Sequence, residues 1–280
     1  MARLVLFPAI FVTLIFVYGF ILFTVYLSFT GSRLLPIHTW VGFENYVRLF
    51  QLDHWYVALR NMGIFFVLYI GISTLLGLFL AILIDLHRVG ERFFRPIFLY
   101  PMAISFIVTG TAWKWFLDPG IGLQHIIRLW GWTGFTFDWI KNSEMAIYTV
   151  VIAAIWQVSG FVMVIFLSGL RAIDHGTVES AVVDGAGYFQ LYTRVIIPQL
   201  AGSFLSVFVI LGHMAIKSYD LVIALTGGGP GRATALPSTF MYSYTFQRNQ
   251  MGIGAASAVI MLLAIAVIIV PYIRSQVKEL

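Results

Sequence analysis

Six long apolar runs constrain this chain more than anything else in it. They cover roughly residues 4–29, 61–84, 97–115, 146–170, 201–225 and 253–273. About 20 apolar residues in a helix cross the roughly 30 Å hydrocarbon core of a bilayer. Of the 280 residues, 60% are hydrophobic and only 10% are charged, too few to clothe a soluble surface of this size. The runs therefore predict an all-α polytopic membrane protein with about six transmembrane helices. The first run is too long for a signal-peptide core. Tyr26-Leu27-Ser28-Phe29-Thr30 after it is no small-residue cleavage site, so a retained helix is expected.

The net charge of +5 does not point to nucleic acid, because basic residues flanking spans set topology instead. With the N-terminus inside, Arg3, Arg88, Arg92, Arg95, Arg171, Arg194, Arg274 and Lys278 are cytoplasmic. Arg33, Arg48, Arg60, Lys114, Arg128, Lys141, Arg232 and Arg248 are then outside. The two sets are equal in number. The cytoplasmic segments are much shorter, and Arg88, Arg92 and Arg95 cluster in one tight loop, so both termini are expected inside. No cysteine occurs, which removes disulfides and thiol chemistry.

One polar stretch interrupts the apolar pattern between the fourth and fifth runs. Glu179-Ser180-Ala181 is followed by Asp184 and Gly185, and after nine further residues by Val195, Ile197 and Pro198. Thr177 is placed to N-cap a short helix with Glu179 and Ser180 in its first turn. Gly185 allows a sharp turn or a close backbone approach. Pro198 suits the first turn of the following helix, where its missing N–H costs little. This spacing resembles the EAA motif of ATP-binding cassette importer permeases, with Ser180, Val195 and Ile197 as small or apolar departures. Phe7-Pro8-Ala9, Tyr26-Leu27-Ser28-Phe29 and Phe43-Glu44-Asn45-Tyr46 resemble the N-terminal part of sugar-importer permeases. The run Leu225-Thr226-Gly227-Gly228-Gly229-Pro230-Gly231 with Thr234 resembles the maltose-type subfamily.

The resemblance implies one permease domain over 1–280. A first helix and external loop occupy 1–58, and a core over 59–274 contains a coupling loop at 171–200. In the family, that loop is a cytoplasmic coupling helix docked into a nucleotide-binding subunit, with Glu179 facing a basic residue there. The implied partners are a second permease, two cytoplasmic ATPase subunits and an external solute-binding protein. The bilayer and a carbohydrate cargo, a mono- or oligosaccharide such as a glucose-like sugar, complete the set. ATP and Mg²⁺ would bind the ATPase partners, leaving this chain without a cofactor, metal site or catalytic residue. The glycine run is no phosphate loop, because Gly231-Arg232-Ala233-Thr234 lacks the lysine and the spacing.

Polar residues inside the runs mark a candidate substrate pathway. In the fifth run, His213 and Lys217 are four apart on one helical face, and Lys217 and Asp220 are spaced to pair. With Ser218 and Tyr219 they suit sugar hydroxyls; a structural ion pair, or Lys217 snorkelling outward, is the alternative. In the fourth run, Trp156 with Gln157 and Ser159 offers an aromatic platform beside amide and hydroxyl groups. A core tryptophan with an interhelical glutamine bond is the alternative. Trp130, Trp132, Phe135, Phe137 and Trp139 read as an aromatic belt rather than a sugar-stacking surface, with a short surface helix around residues 120–132. Gly252, Gly254, Ala256 and Ala258 allow close packing, within the chain or against a second permease. A membrane-embedded enzyme would need clustered His or acids, and no such cluster is seen. A secondary transporter or channel is argued against by the lack of a clear internal repeat and by how few buried charges there are for ion coupling.

Overall fold

The computed structural model describes residues 2–33, 37, 39–87 and 90–278, without the side chains of 2–6, 9 and 275–278. Arg88 of the charge cluster therefore lies outside the described residues, as do the side chains of Arg3 and Lys278. The described residues are overwhelmingly helical, and their β structure is a single bridge between Thr30 and Trp40. Among the described residues, four helices are long and apolar enough to cross a bilayer, or up to six if each of two bent pairs forms one span. The chain divides into two compact units, Met1–Arg60 with Ala235–Val267, and Asn61–Thr234 with Ile268–Leu280.

The first unit begins with α1 (Ala2–Thr13), a π-helical stretch Leu14–Gly19 and α2 (Phe20–Ser28). Over Ile10–Ser28 the side chains are apolar nearly all round and almost wholly exposed, the signature of a helix whose solvent is lipid. Buried Asn45, in α3 (Glu44–Leu49), donates to the carbonyls of Ser28 and Thr30 at 2.9 and 2.8 Å. Those carbonyls lie at and just beyond the C-terminal end of α2, where among the described residues no backbone N–H reaches them. Trp55, in α4 (Asp53–Leu86), packs edge-on against Phe240 of α14 (Pro237–Tyr242) at 5.1 Å. Phe240 stacks on Tyr244 at 4.1 Å, and Leu49, Ile253 and Ala256 complete this core. The small residues opening α15 (Met251–Lys278) serve this unit. A Cβ on Gly252 would strike the Thr30 carbonyl, and one on Gly254 the Thr245 hydroxyl.

In the second unit, α8 (Ala146–Ala172) is the most buried of the candidate spans. Gly160 admits the Phe98 carbonyl of α5 (Glu91–Ala103) so closely that a Cβ would not fit. The 97–115 run, expected as one helix, is broken. α5 ends at Ala103, Ile104 is extended, and α6 (Phe106–Phe116) leaves at 99°. The Ile104 N–H closes the last turn on the Pro101 carbonyl at 3.2 Å, and the Ser105 side chain accepts from the Val108 N–H at 3.3 Å to start the new helix. Gln157 of α8 donates to the Ile104 carbonyl at 2.8 Å, satisfying an acceptor freed by the break. A short helix, α7 (Leu123–Leu129), falls where the sequence suggested one, and Trp132, Phe135, Phe137 and Trp139 form a contiguous ring ladder beyond it.

The 201–225 run is also interrupted. The connection after α8 carries α9 (His175–Val183), then a helical run of α10 (Tyr188–Gln190), a π-helical turn Leu191–Ile196 and α11 (Ile197–Gln199). A 62° bend leads to α12 (Ala201–Ile216), and residues 217–219 separate that helix from α13 (Asp220–Thr226). α13 packs closely on α6, where a Cβ on Gly110 would meet the Ala224 side chain.

Candidate functional site

The polar loop is built from α9 outward. Asp174, not Thr177, is the N-cap: its carboxylate accepts from the Thr177 N–H at 3.1 Å and from the Thr177 hydroxyl at 3.3 Å. An aspartate three residues earlier outcompetes the threonine because it reaches the N3 amide as a charged acceptor. Glu179 and Ser180 therefore sit in the second turn rather than the first. The Ser180 hydroxyl donates back to the Gly176 and Thr177 carbonyls at 2.9 and 3.1 Å.

The helix stops at Gly185, whose φ of +86° only glycine adopts without strain. Its N–H bonds the Val182 carbonyl, and the Ala186 N–H bonds that of Ala181, each at 3.0 Å, closing the C-terminal turn. A Cβ on Gly185 would meet nothing within 4 Å, so the glycine is needed for its backbone angle and not for space. Pro198 lies near the end of the run Tyr188–Gln199, just before the bend at Leu200, and not in the first turn of α12. Its ring and missing N–H disturb the ladder beside the π-helical turn that precedes it.

This segment turns its side chains outward. Glu179, Ser180, Asp184, Gly185 and Pro198 are exposed, and Ala181 is half-buried. Val183, Tyr188 and Phe189 are each more than 80% exposed. Glu179 and Asp184 belong to none of the ion pairs among the described residues. An acid and several large apolar side chains standing free around a tight bend form a surface suited to a protein partner.

Arg171, three residues before the α9 cap, reads in the sequence only as a topology charge. Its guanidinium donates to both oxygens of Glu91, at 3.0 and 2.6 Å, and its Nε lies 3.8 Å from Asp85. These residues end α8, begin α5 and end α4, and with His175, Tyr188 and Tyr192 they border a cavity of about 520 Å³. The three positions are separated by 6 and 80 residues in sequence, so no local pattern could have grouped them.

The proposed pathway residues separate into two places. His213, Lys217, Ser218, Tyr219 and Asp220 line one cavity of about 330 Å³, together with Tyr69 and Phe106. Lys217 follows the last helical residue of α12 and does not pair with Asp220, because the break at 217–219 removes the helical spacing. Trp156 instead packs edge-on against Trp113 of α6 at 5.8 Å and lines a separate apolar groove with Thr109. Gln157 is buried and committed to the Ile104 carbonyl, and the Ser159 hydroxyl turns back to the Trp156 carbonyl at 3.3 Å. Among the described residues, no group of three or more His, Asp or Glu side chains converges as a metal site.

Residues 73–278 match the family described as the binding-protein-dependent transport system inner membrane component. The chain is 40% identical over 279 residues to a probable ABC transporter permease protein of Pyrococcus horikoshii, covering 98% of this chain and 95% of that one. It is 34% identical over 269 residues to a xylose/arabinose import permease protein of Haloferax volcanii, covering 94% of this chain and 84% of the relative. Its fold matches that of a bacterial ABC transporter involved in import of the acidic polysaccharide alginate, with a TM-score of 0.84 at 23% identity, over 98% of this chain and 94% of the other. Together with its apolar helices and exposed interhelical loop, these matches identify the chain as a member of the binding-protein-dependent transport system inner membrane component family, a non-catalytic membrane subunit of ABC importers.

Proposed function

We propose that this chain is one permease of a pair in an ATP-driven carbohydrate importer of the maltose type. It acts as a single permease domain that receives sugar from an external binding protein. α9 is its coupling helix, and two cytoplasmic ATPase subunits, which bind ATP and Mg²⁺, drive it. The observation that carries this reading is the exposed α9 with its glycine bend, at the motif spacing of such permeases. Exposed Val183, Tyr188 and Phe189 suit a groove on an ATPase subunit, and Glu179 is free to meet a basic residue there. If α9 meets a cytoplasmic ATPase, both termini are cytoplasmic.

The carbohydrate cargo is supported by the pentose permease among the relatives and by the alginate importer of like fold. A cavity that sets a carboxylate, an ammonium and hydroxyls beside aromatic rings suits a polyhydroxylated ligand. Alternating access follows: ATP draws the two ATPase subunits together, the coupling helices follow, and the pathway opens outward; hydrolysis resets it.

The test is uptake of a sugar panel by membranes that co-express the partner subunits. Gly185→Asp should abolish uptake while the chain still inserts, and unaltered uptake would reject the coupling role. Transport by this chain alone in liposomes would overturn the whole scheme.

A further inference from the structure

The geometry points to Arg171 as a positioning residue that makes α5 move with α8, so that displacement of α9 reaches the break at Ile104; this rests on α9 being the coupling helix. α5 is tied to α8 at both ends and once between. At one end the Arg171 guanidinium grips both oxygens of Glu91. At the other, Gln157 donates to the Ile104 carbonyl. Between them the Phe98 carbonyl sits against Gly160, where no Cβ would fit.

The ties match in length. From Gln157 to Arg171 is 14 residues, about 21 Å of helix, and from Glu91 to Ile104 is 13 residues, about 20 Å. Two antiparallel helices pinned over about 20 Å cannot shear past each other without breaking a pin. Arg171 also stands three residues before Asp174, the cap of α9, so the lower pin lies at the root of the coupling helix. A push on α9 enters α8 at Arg171, passes to α5 through a bidentate ion pair, and arrives at the residue where α5 turns by 99° into α6. Lysine would keep the charge but not the fork, so it would leave α5 free to slide. Asp85, 3.8 Å from the Arg171 Nε, steadies the guanidinium from the end of α4.

The chain holds no cysteine, so each introduced cysteine places a spin label on it, with any cysteines of the partner subunits replaced. The experiment uses the complex purified with its ATPase subunits in nanodiscs, labelled at Phe93→Cys on α5 and Ser168→Cys on α8, both exposed positions. The label separation is read without nucleotide and with Mg²⁺-ATP and vanadate. With Arg171 present the separation should stay constant between the two states. With Arg171→Gln or Glu91→Gln it should change with nucleotide, while the complex still hydrolyses ATP. Arg171→Lys should behave as Arg171→Gln and serves in its place if the glutamine variant does not assemble. A separation that changes with nucleotide in the parent complex, or stays constant in every variant, would overturn the inference. A separate label at Val183→Cys reports on α9. If its mobility is the same with and without the ATPase subunits, the coupling reading fails instead.

Discussion

Replacing Gly160 by alanine tests the α5–α8 contact most directly. The new Cβ would lie against the Phe98 carbonyl oxygen and within 3.0 Å of the Leu99 nitrogen, backbone atoms that no side-chain rotation can move. Ordinary carbon–oxygen contacts sit at about 3.3–3.6 Å, so the two helices must part. Such overpacking costs about 1–3 kcal/mol. If parting also breaks the Gln157 bond to the Ile104 carbonyl, about 1 kcal/mol more is lost. Alanine returns about 1 kcal/mol of helix propensity. The balance is a loss of about 1–3 kcal/mol. Gly71 of α4 is the control: it is exposed, and a Cβ there meets nothing within 4 Å, so Gly71→Ala should gain about 1 kcal/mol. The assay is thermal unfolding of the detergent-solubilised protein, followed by the monodisperse fraction left after heating. Gly160→Ala should melt below the parent and Gly71→Ala at or above it. A Gly160→Ala protein as stable as the parent would refute the packing argument.

Other perturbations have equally definite outcomes. Asp174→Ala removes the α9 cap and should cost that helix about 1 kcal/mol, seen as faster amide exchange over 175–183 with exchange in α8 unchanged. Asn45→Ala strips two donors from buried carbonyls and should destabilise the protein by about 2 kcal/mol, read from its melting midpoint. Asp220→Asn and Lys217→Ala should raise the half-saturating sugar concentration for transport without releasing the ATPase subunits, whereas unchanged transport kinetics for both would remove this cavity from the pathway.

Some of this architecture is legible in local sequence and some is not. Periodicity and length predict the apolar segments, but not that the 97–115 run bends by 99° at Ile104. Hydropathy stays high through Ile104 and Phe106, and the bend is possible because Gln157, 53 residues away, supplies the donor that the exposed carbonyl needs. The lysine–aspartate pair expected at 217 and 220 failed for a related reason. Helical spacing does not carry across 217–219, where α12 stops and α13 starts. The clamp of Arg171 on Glu91 was invisible, since an arginine at a span end is ordinarily a topology signal.

Composition and short-range spacing are enough for the membrane class, the family and the glycine turn that ends α9. Those depend on composition, and on a glycine that can take positive φ; the cap at Asp174 and the place of Pro198 before the bend are legible only in the folded loop. Which polar residues share a cavity, where two apolar runs break, and how α5 is bound to α8 emerge only in the folded chain. Each of those depends on a donor, a charge or a missing Cβ supplied by a helix distant in sequence, and pairing across such distances is set by packing.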